Sequence, residues 1–455
     1  MDPGLTLDSR TDLISEPPVH PAPGSYRPVD LSERIHTMDL VRGMALLGIL
    51  MMNIPFFGQA PQLETEPYFR PASTDYKVFG VITVLFEGKM RALFSMLFGA
   101  GLLIFTSRKE AAGLPSADLF YRRLLWMVLF GTLHAYVLLW PGDVLFDYAI
   151  AGLFLFVFRQ LKPRQLLIAA LICMTILGLK NTRRHVEMKS SRAKYLTAVS
   201  LEKGKKKLTD EQKKDKEAWV QFEKRAKPDP KEVAETNKAM RSGYLKVYKT
   251  LEPHNIRFDS SFLYLFIIWD VFAMMFLGMA LFKWGFFQNR LPARTYWLTL
   301  AGGYGIGLPL AVFHFFLGQQ ATTAPAQFAD TQFFPKELFY DLERGFMALG
   351  HASLLLLVYR TGVFSWLWRG IANVGRMAFS NYILQTICCS LFFYGFGLSY
   401  FGKLAYHQLF YVVAGVWVIN LIFSAVWLRY FRFGPLEWAW RSLTYWQRQP
   451  WRRGV

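Results

Sequence analysis

The sequence predicts an all-α integral membrane protein of about ten transmembrane helices, with one charged extramembranous helical insertion. Three observations carry that expectation. Of 455 residues, 53% are hydrophobic and 17% aromatic, and only 19% are charged, against about a quarter in soluble domains. The apolar residues come in repeated runs of about 17–22, a length that crosses a hydrocarbon core of about 30 Å. With no water in that core, each run must pair its own backbone groups, which makes the runs helices. The charge is gathered in short connectors and in one block at 180–258.

In chain order, residues 1–37 are polar and rich in proline (Pro17, Pro18, Pro21, Pro23, Pro28), with no apolar run before Leu40. They read as a disordered cytoplasmic tail rather than a cleavable signal. The N-terminal bundle, 38–179, holds apolar segments at 40–57, 80–106, 124–141, 144–160 and 165–180. The second of these carries Glu87, Lys89 and Arg91, so its first turns belong in the interface or against other helices. Glu87 and Arg91 are four apart and can pair on one helix face. The block 180–258, with Lys203–Lys207 and breaks at Pro228 and Pro230, reads as a helical hairpin or cap; partial disorder is the alternative. The C-terminal bundle, 259–455, adds segments at 261–283, 295–317, 341–359, 377–398 and 408–428, and a short aromatic piece at 364–370 reads as interfacial. The glycine run from Gly302 to Gly307 has no preceding strand and no suitably placed acid, so it reads as close helix packing and not as a nucleotide loop.

The net charge of +19 suits basic loops held against anionic lipid rather than a nucleic-acid partner. Arg108, Arg122, Arg123, Arg159, Arg360 and Arg376 fall on one side of the expected spans, and Glu64, Glu66, Asp75 and Asp143 on the other. The positive-inside rule then places both termini in the cytoplasm and the 180–258 insertion outside, since long loops translocate largely regardless of charge. Cys173, Cys388 and Cys389 lie in apolar runs with no disulfide framework and no metal-ligand spacing. No metal motif, Walker motif or esterase-type serine elbow is present.

Three stretches carry a resemblance. The first is the run from Arg34 to Leu50, with Asp39, Arg42 and Gly43, followed by Asn53-Ile54. The second runs from Phe94 to Gly101 through Arg122-Arg123, Gly131, His134, Gly142-Asp143 and Tyr148-Ala149. The third runs from Gly375 to Gln385, with Gly434-Pro435-Leu436-Glu437-Trp438 and Arg441. Together they resemble the YeiB family of bacterial multi-pass membrane proteins, whose C-terminal half is domain of unknown function 418. The Asp-x-x-Arg-Gly opening is similar to that of membrane acyltransferases of the heparan glucosaminide acetyltransferase type. The resemblance implies a protein of the bacterial cytoplasmic (inner) membrane. It also implies a distant link to enzymes that move an acyl group from a cytoplasmic acyl-CoA to an extracytoplasmic or lipid-linked acceptor, either glycan or lipid. In acyltransferase-3 relatives a His stands eleven residues after the first-helix Arg; Asn53 takes that position here.

Ionisable groups inside spans are costly and so mark candidate sites. Eleven residues turn a helix only about 20° past three full turns and rise about 16 Å, so Arg42 and Asn53 share one face, as do Arg123 and His134. Asn53 is a catalytic candidate, with interhelical hydrogen bonding as its alternative. His134 is the candidate general base, because imidazole titrates near neutral pH, and a buried structural histidine is the alternative. Asp143 lies within reach to orient it, or is an ordinary turn residue after Pro141-Gly142. Glu87 completes the expected outward cluster of Asn53, Glu87, His134 and Asp143. Arg42, Arg123 and Arg376 are the candidates for holding the phosphates of an acyl-CoA donor; no other cofactor and no metal is expected. For Arg42, a snorkelling anchor is the alternative. The competing function is a transporter or flippase of a small or lipid-linked molecule, with Asp270, Arg344 and His351 lining its path, or a membrane protein without chemistry. A homo-oligomer is compatible with either.

Overall fold

The computed structural model describes residues 35–113, 116–225 and 227–453, so most of the expected tail at 1–37 lies outside the described residues. The chain is an all-α membrane protein. Among the described residues the only extended pairing is an isolated bridge between Phe431 and Arg452. Among the described residues seventeen α-helices follow one another. They are α1 His36–Gly58, α2 Thr74–Leu85, α3 Lys89–Ala111, α4 Ser116–Tyr136, α5 Val144–Leu155, α6 Pro163–Lys203, α7 Asp210–Arg225, α8 Pro230–Met240 and α9 Tyr244–Arg257. After a π-helical stretch at Phe258–Ile267 come α10 Ile268–Lys283, α11 Ala293–Thr323, α12 Pro325–Thr331, α13 Tyr340–Arg360, α14 Ser365–Arg376, α15 Ala378–Phe393, α16 Leu409–Tyr430 and α17 Pro435–Tyr445.

Helices occupy all ten expected segments, yet among the described residues six stretches are long and apolar enough to cross a membrane by length and composition. The others fall short for visible reasons. Helix α4 carries Asp118, Arg122 and Arg123, α13 carries Asp341, Glu343 and Arg344, α5 has 12 residues and α15 has 16. Asp341, Glu343 and Arg344 are all buried. A helix enclosed by other helices need not be apolar, because its charges meet protein rather than lipid.

The second segment is two helices. The chain turns at Phe86–Gly88, with Gly88 at φ 71, a conformation that suits glycine. The turn leaves carbonyls at the end of α2 without helical partners. Lys89 Nζ donates to Thr83 O at 2.9 Å and His351 Nε2 to Leu85 O at 2.7 Å, so a cation and an imidazole close that end. The same break defeats the expected pairing of Glu87 with Arg91, since a four-residue spacing aligns side chains only along one continuous helix. Arg91 pairs instead with Asp270 at 3.0 Å, and Tyr340 Oη donates to Glu87 at 3.1 Å.

Two ends of the bundle differ. At one, Thr37 bonds Phe287 O, Lys283 bonds Arg159 O and Leu161 O, and Arg360 bonds Asn289 O and Leu291 O. This basic end also holds the amphipathic helices α14 and α17. At the other, Gly402 N bonds Gly58 O and the insertion docks: Gly395 N to Met240 O at 2.9 Å, Asn255 Nδ2 to Ala135 O at 2.7 Å. The boundary set at 180 falls inside α6, which runs unbroken to Lys203. Its 41 residues measure about 60 Å, roughly twice the hydrocarbon core, so half of it projects. Helix α7 folds back on that projection, burying Trp219 near Tyr195 and pairing Lys216 with Glu202 at 2.5 Å. Arg192 grips Asp330 of α12 through two bonds, of 3.1 and 3.0 Å, and these hold the Asp330 carboxyl below the usual carboxylate range. Met240, Val247 and Leu251 join the buried cluster of Phe57, Trp140 and Phe393, so the insertion borrows its core from the bundle.

The glycine run does pack as expected, on one face. A Cβ at Gly303 would lie 2.7 Å from Phe346 O and Gly350 N, and one at Gly307 2.9 Å from Met347 N. Gly302 and Gly305 meet nothing within 4 Å.

Candidate functional site

A cavity of about 290 Å³ opens at the basic end between α1, α3, α4, α5, α15 and α17, with the end of α14 beside it. Its rim carries Arg42, Arg108, Arg123, Arg376 and Arg441, together with Asp39 and Glu437. Its depth is apolar, lined by Leu46, Ile49, Leu97, Met127, Val144 and Leu145, with Tyr382 also on its wall. The three expected phosphate-holding arginines, Arg42, Arg123 and Arg376, therefore stand at one mouth.

Local sequence explains how they are held. Asp39 and Arg42 sit three apart on α1 and pair at 2.9 Å. Arg123 lies 3.9 Å over the Trp440 ring, whose Nε1 donates to Arg123 O at 2.9 Å, so α17 fixes the guanidinium by stacking. Arg441 stacks over Phe433. Helix α17 is itself locked to α15: Glu437 accepts from the amides of Phe379 and Ser380 at 2.8 and 3.1 Å and from Ser380 Oγ at 2.5 Å. A carboxylate there satisfies the orphan donors of a helix start. Burial nonetheless holds the Glu437 carboxyl above its ordinary range, against those bonds.

Beyond Tyr382 the cavity ends and a buried polar trio begins. His134 Nδ1 lies 2.7 Å from Asp143 Oδ1, and His134 Nε2 lies 2.8 Å from Thr386 Oγ1. A carboxylate offers only acceptors, so Nδ1 carries the proton toward Asp143, and in the neutral ring Nε2 accepts from the threonine hydroxyl. Asp143 serves twice, because its Oδ2 also caps α5 by accepting from Phe146 N at 2.8 Å. The Tyr382 ring meets His134 edge-on at 4.9 Å, while its hydroxyl receives Trp140 Nε1 at 3.1 Å. His134 is 1% exposed and Asp143 5%, so the imidazole is sealed behind Tyr382.

Of the expected outward cluster, the structure brings His134 and Asp143 into contact. Glu87 lies elsewhere, against Tyr340, and Asn53 is half-buried on α1. Asp270, Arg344 and His351 also have definite surroundings. Arg344 bonds both Asp270 and Asp341, and Arg91 pairs with Asp270. Lys89 meets Glu343 at 2.5 Å, and Glu343 meets His314 at 3.1 Å. Tyr304 Oη donates to His351 Nδ1 at 2.7 Å, the Nε2 proton being given to Leu85 O. Thr386, Trp440 and the role of Glu437 escape a reading of the sequence: each acts across helices, and only the four-residue step from Tyr382 to Thr386 hints at a shared face.

Close packing around the trio yields a first prediction. A Cβ at Gly131, one turn before His134, would stand 2.7 Å from Asp143 Oδ2 and 2.5 Å from Phe146 N. Gly131→Ala should cost about 1–3 kcal/mol by overpacking and push the carboxylate off the imidazole. Thermal unfolding in detergent measures it, and an unchanged midpoint would show that α4 and α5 part without cost.

Comparison with known proteins places the chain among relatives over nearly its whole length. The family described as Protein of unknown function (DUF418) matches residues 281–447. The chain is 31% identical over 425 residues to the uncharacterized protein YeiB of Escherichia coli (strain K12), covering 90% of this chain and 96% of that protein. It is 28% identical over 445 residues to the uncharacterized protein YxaH of Bacillus subtilis (strain 168), covering 94% and 98%. It is 27% identical over 418 residues to an uncharacterized 39.9 kDa protein from the amylase 3' region of Bacillus acidopullulyticus, covering 92% and 96%. No solved structure matches.

Proposed function

The chain belongs to the YeiB family, and from that premise we propose that it is a membrane acyltransferase of the bacterial inner membrane, taking its acyl group from a cytoplasmic acyl-CoA. The observation that carries this reading is the cavity: five arginines at its mouth, an apolar depth, and a far wall, Tyr382, packed on His134. An acyl-CoA has that same distribution, phosphates at one end and an acyl chain at the other. Planar guanidinium groups suit phosphate oxygens. His134, oriented by Asp143, is the base that takes a proton as the thioester carbonyl is attacked. Tyr382 must swing aside for the carbonyl to reach it, which breaks its bond from Trp140.

The test uses purified protein in detergent with radiolabelled acetyl-CoA and candidate glycan and lipid acceptors. Arg42→Ala removes a charged hydrogen-bonding partner worth about 1.5–3 kcal/mol, so KM for the donor should rise by about 10–100-fold while kcat holds. An unchanged KM would remove the arginines from donor binding. A flippase of a similar anionic amphiphile would use the same cavity without breaking the thioester, so release of free CoA thiol separates the two readings.

Both termini then lie in the cytoplasm with the arginine mouth, and the insertion faces outward. Lys214, exposed on α7, gives the check. Lys214→Cys should react with a membrane-impermeant thiol reagent in cells whose inner membrane is intact. Reaction only after lysis of that membrane reverses the orientation.

A further inference from the structure

The trio behind Tyr382 contains a hydroxyl that the transferase reading leaves idle. Threonines in helices commonly satisfy their hydroxyl on their own backbone, at the carbonyl three or four residues earlier. This protein follows that habit: Thr106 bonds Leu102 O, Thr132 Val128 O, Thr175 Leu171 O, Thr299 Thr295 O and Thr444 Trp440 O. Thr386 sits in the middle of α15 and points its hydroxyl at His134 Nε2, 2.8 Å away. The base it meets is oriented in turn by Asp143 at 2.7 Å. A hydroxyl on a base, and that base on a carboxylate, is the arrangement that activates a nucleophile.

Its position relative to the cavity is equally specific. Ala378 and Tyr382 of α15 line the cavity, and Thr386 follows at the next four-residue step, about 6 Å further along the helix. Ala378, Tyr382 and Thr386 thus lie along one side of α15, so a chain entering from the arginine mouth and passing Tyr382 arrives at Thr386.

We infer that Thr386 is the nucleophile of the transfer, holding the acyl group as an ester on Oγ1 between donor and acceptor; the inference rests on the transferase reading. In the first half, Thr386 Oγ1 attacks the thioester carbonyl and its proton passes to His134 Nε2. The carbon–sulfur bond then breaks, and the leaving CoA thiolate takes that proton. In the second half, an acceptor hydroxyl attacks the ester carbonyl and gives its proton to His134. The bond from the acyl carbon to Oγ1 breaks, and Thr386 recovers the proton. Asp143 stabilises the imidazolium in both halves.

The experiment incubates the full-length protein in detergent with acetyl-CoA and no acceptor, then digests it for peptide mass spectrometry. In parallel, release of CoA thiol is followed with hydroxylamine as acceptor. The wild type gains one acetyl group on the peptide holding Thr386. Thr386→Ser keeps the label. Thr386→Val, of similar shape, loses the label and slows CoA release by about 10²–10⁴-fold, with an unchanged elution profile on size exclusion. A Thr386→Val protein that releases CoA at the wild-type rate, or a label found on His134, overturns the nucleophile and leaves the transferase standing. A wild type that takes no label yet releases CoA also overturns it, in favour of direct transfer. A wild type that does neither overturns both.

Discussion

His134→Ala is expected to lower acyl transfer by about 10²–10⁴-fold, the range that loss of a positioned general base produces. The side chain is nearly sealed from solvent and both ring nitrogens are engaged, Nδ1 by Asp143 and Nε2 by Thr386. The variant therefore removes the base and leaves two polar groups without their partner. Unfolding must be separated from lost chemistry, and His134→Gln does so. Its amide nearly fills the space and can bond one neighbour, but it cannot take up a proton. Both variants should elute as inserted, monodisperse protein, and both should be inactive in the acetyl-CoA assay while donor binding at the arginine mouth persists. Transfer at the wild-type rate by either variant would make His134 a packing residue.

A comparably large effect is expected on folding at Arg344. Arg344, 1% exposed, holds together Asp270 of α10 and Asp341 of its own helix, and Arg91 of α3 pairs with the same Asp270. Arg344→Met leaves Asp270 with Arg91 alone and takes from the buried Asp341 the guanidinium that it bonds. Removing one partner of a buried ion pair costs about 3–5 kcal/mol, mostly as the penalty of the charge left behind. The variant should be lost to aggregation on mild heating in detergent. Pairing it with Asp270→Asn should recover part of the loss, because the surplus charge is then gone, and the shortfall from additivity measures the coupling. A single variant as stable as the wild type would place the network among surface-like pairs of little energetic weight.

Much of this protein could be read from its residues in order. Apolar run length dictated helices and a membrane, because backbone groups in lipid have no partner but their own helix. Eleven-residue spacing put Arg123 and His134 on one face of α4, where one lines the mouth of the cavity and the other lies behind its far wall. Nearness in sequence brought Asp143 within reach of His134. Glu87 and Arg91 show where such reading stops: a turn at Gly88 redirects the chain, and each finds a partner on another helix. Helix α6 passed through an expected boundary at Lys180, because a polar surface is no obstacle to a helix that leaves the membrane and meets α7. Sequence by itself determined the helical class, the membrane, the basic end and the candidate imidazole, all properties of neighbours along one chain. Only the tertiary structure decided that Thr386 answers His134 and that Arg344 gathers Asp270. Those pairs lie 252 and 74 residues apart, and local periodicity carries no information about which helices meet.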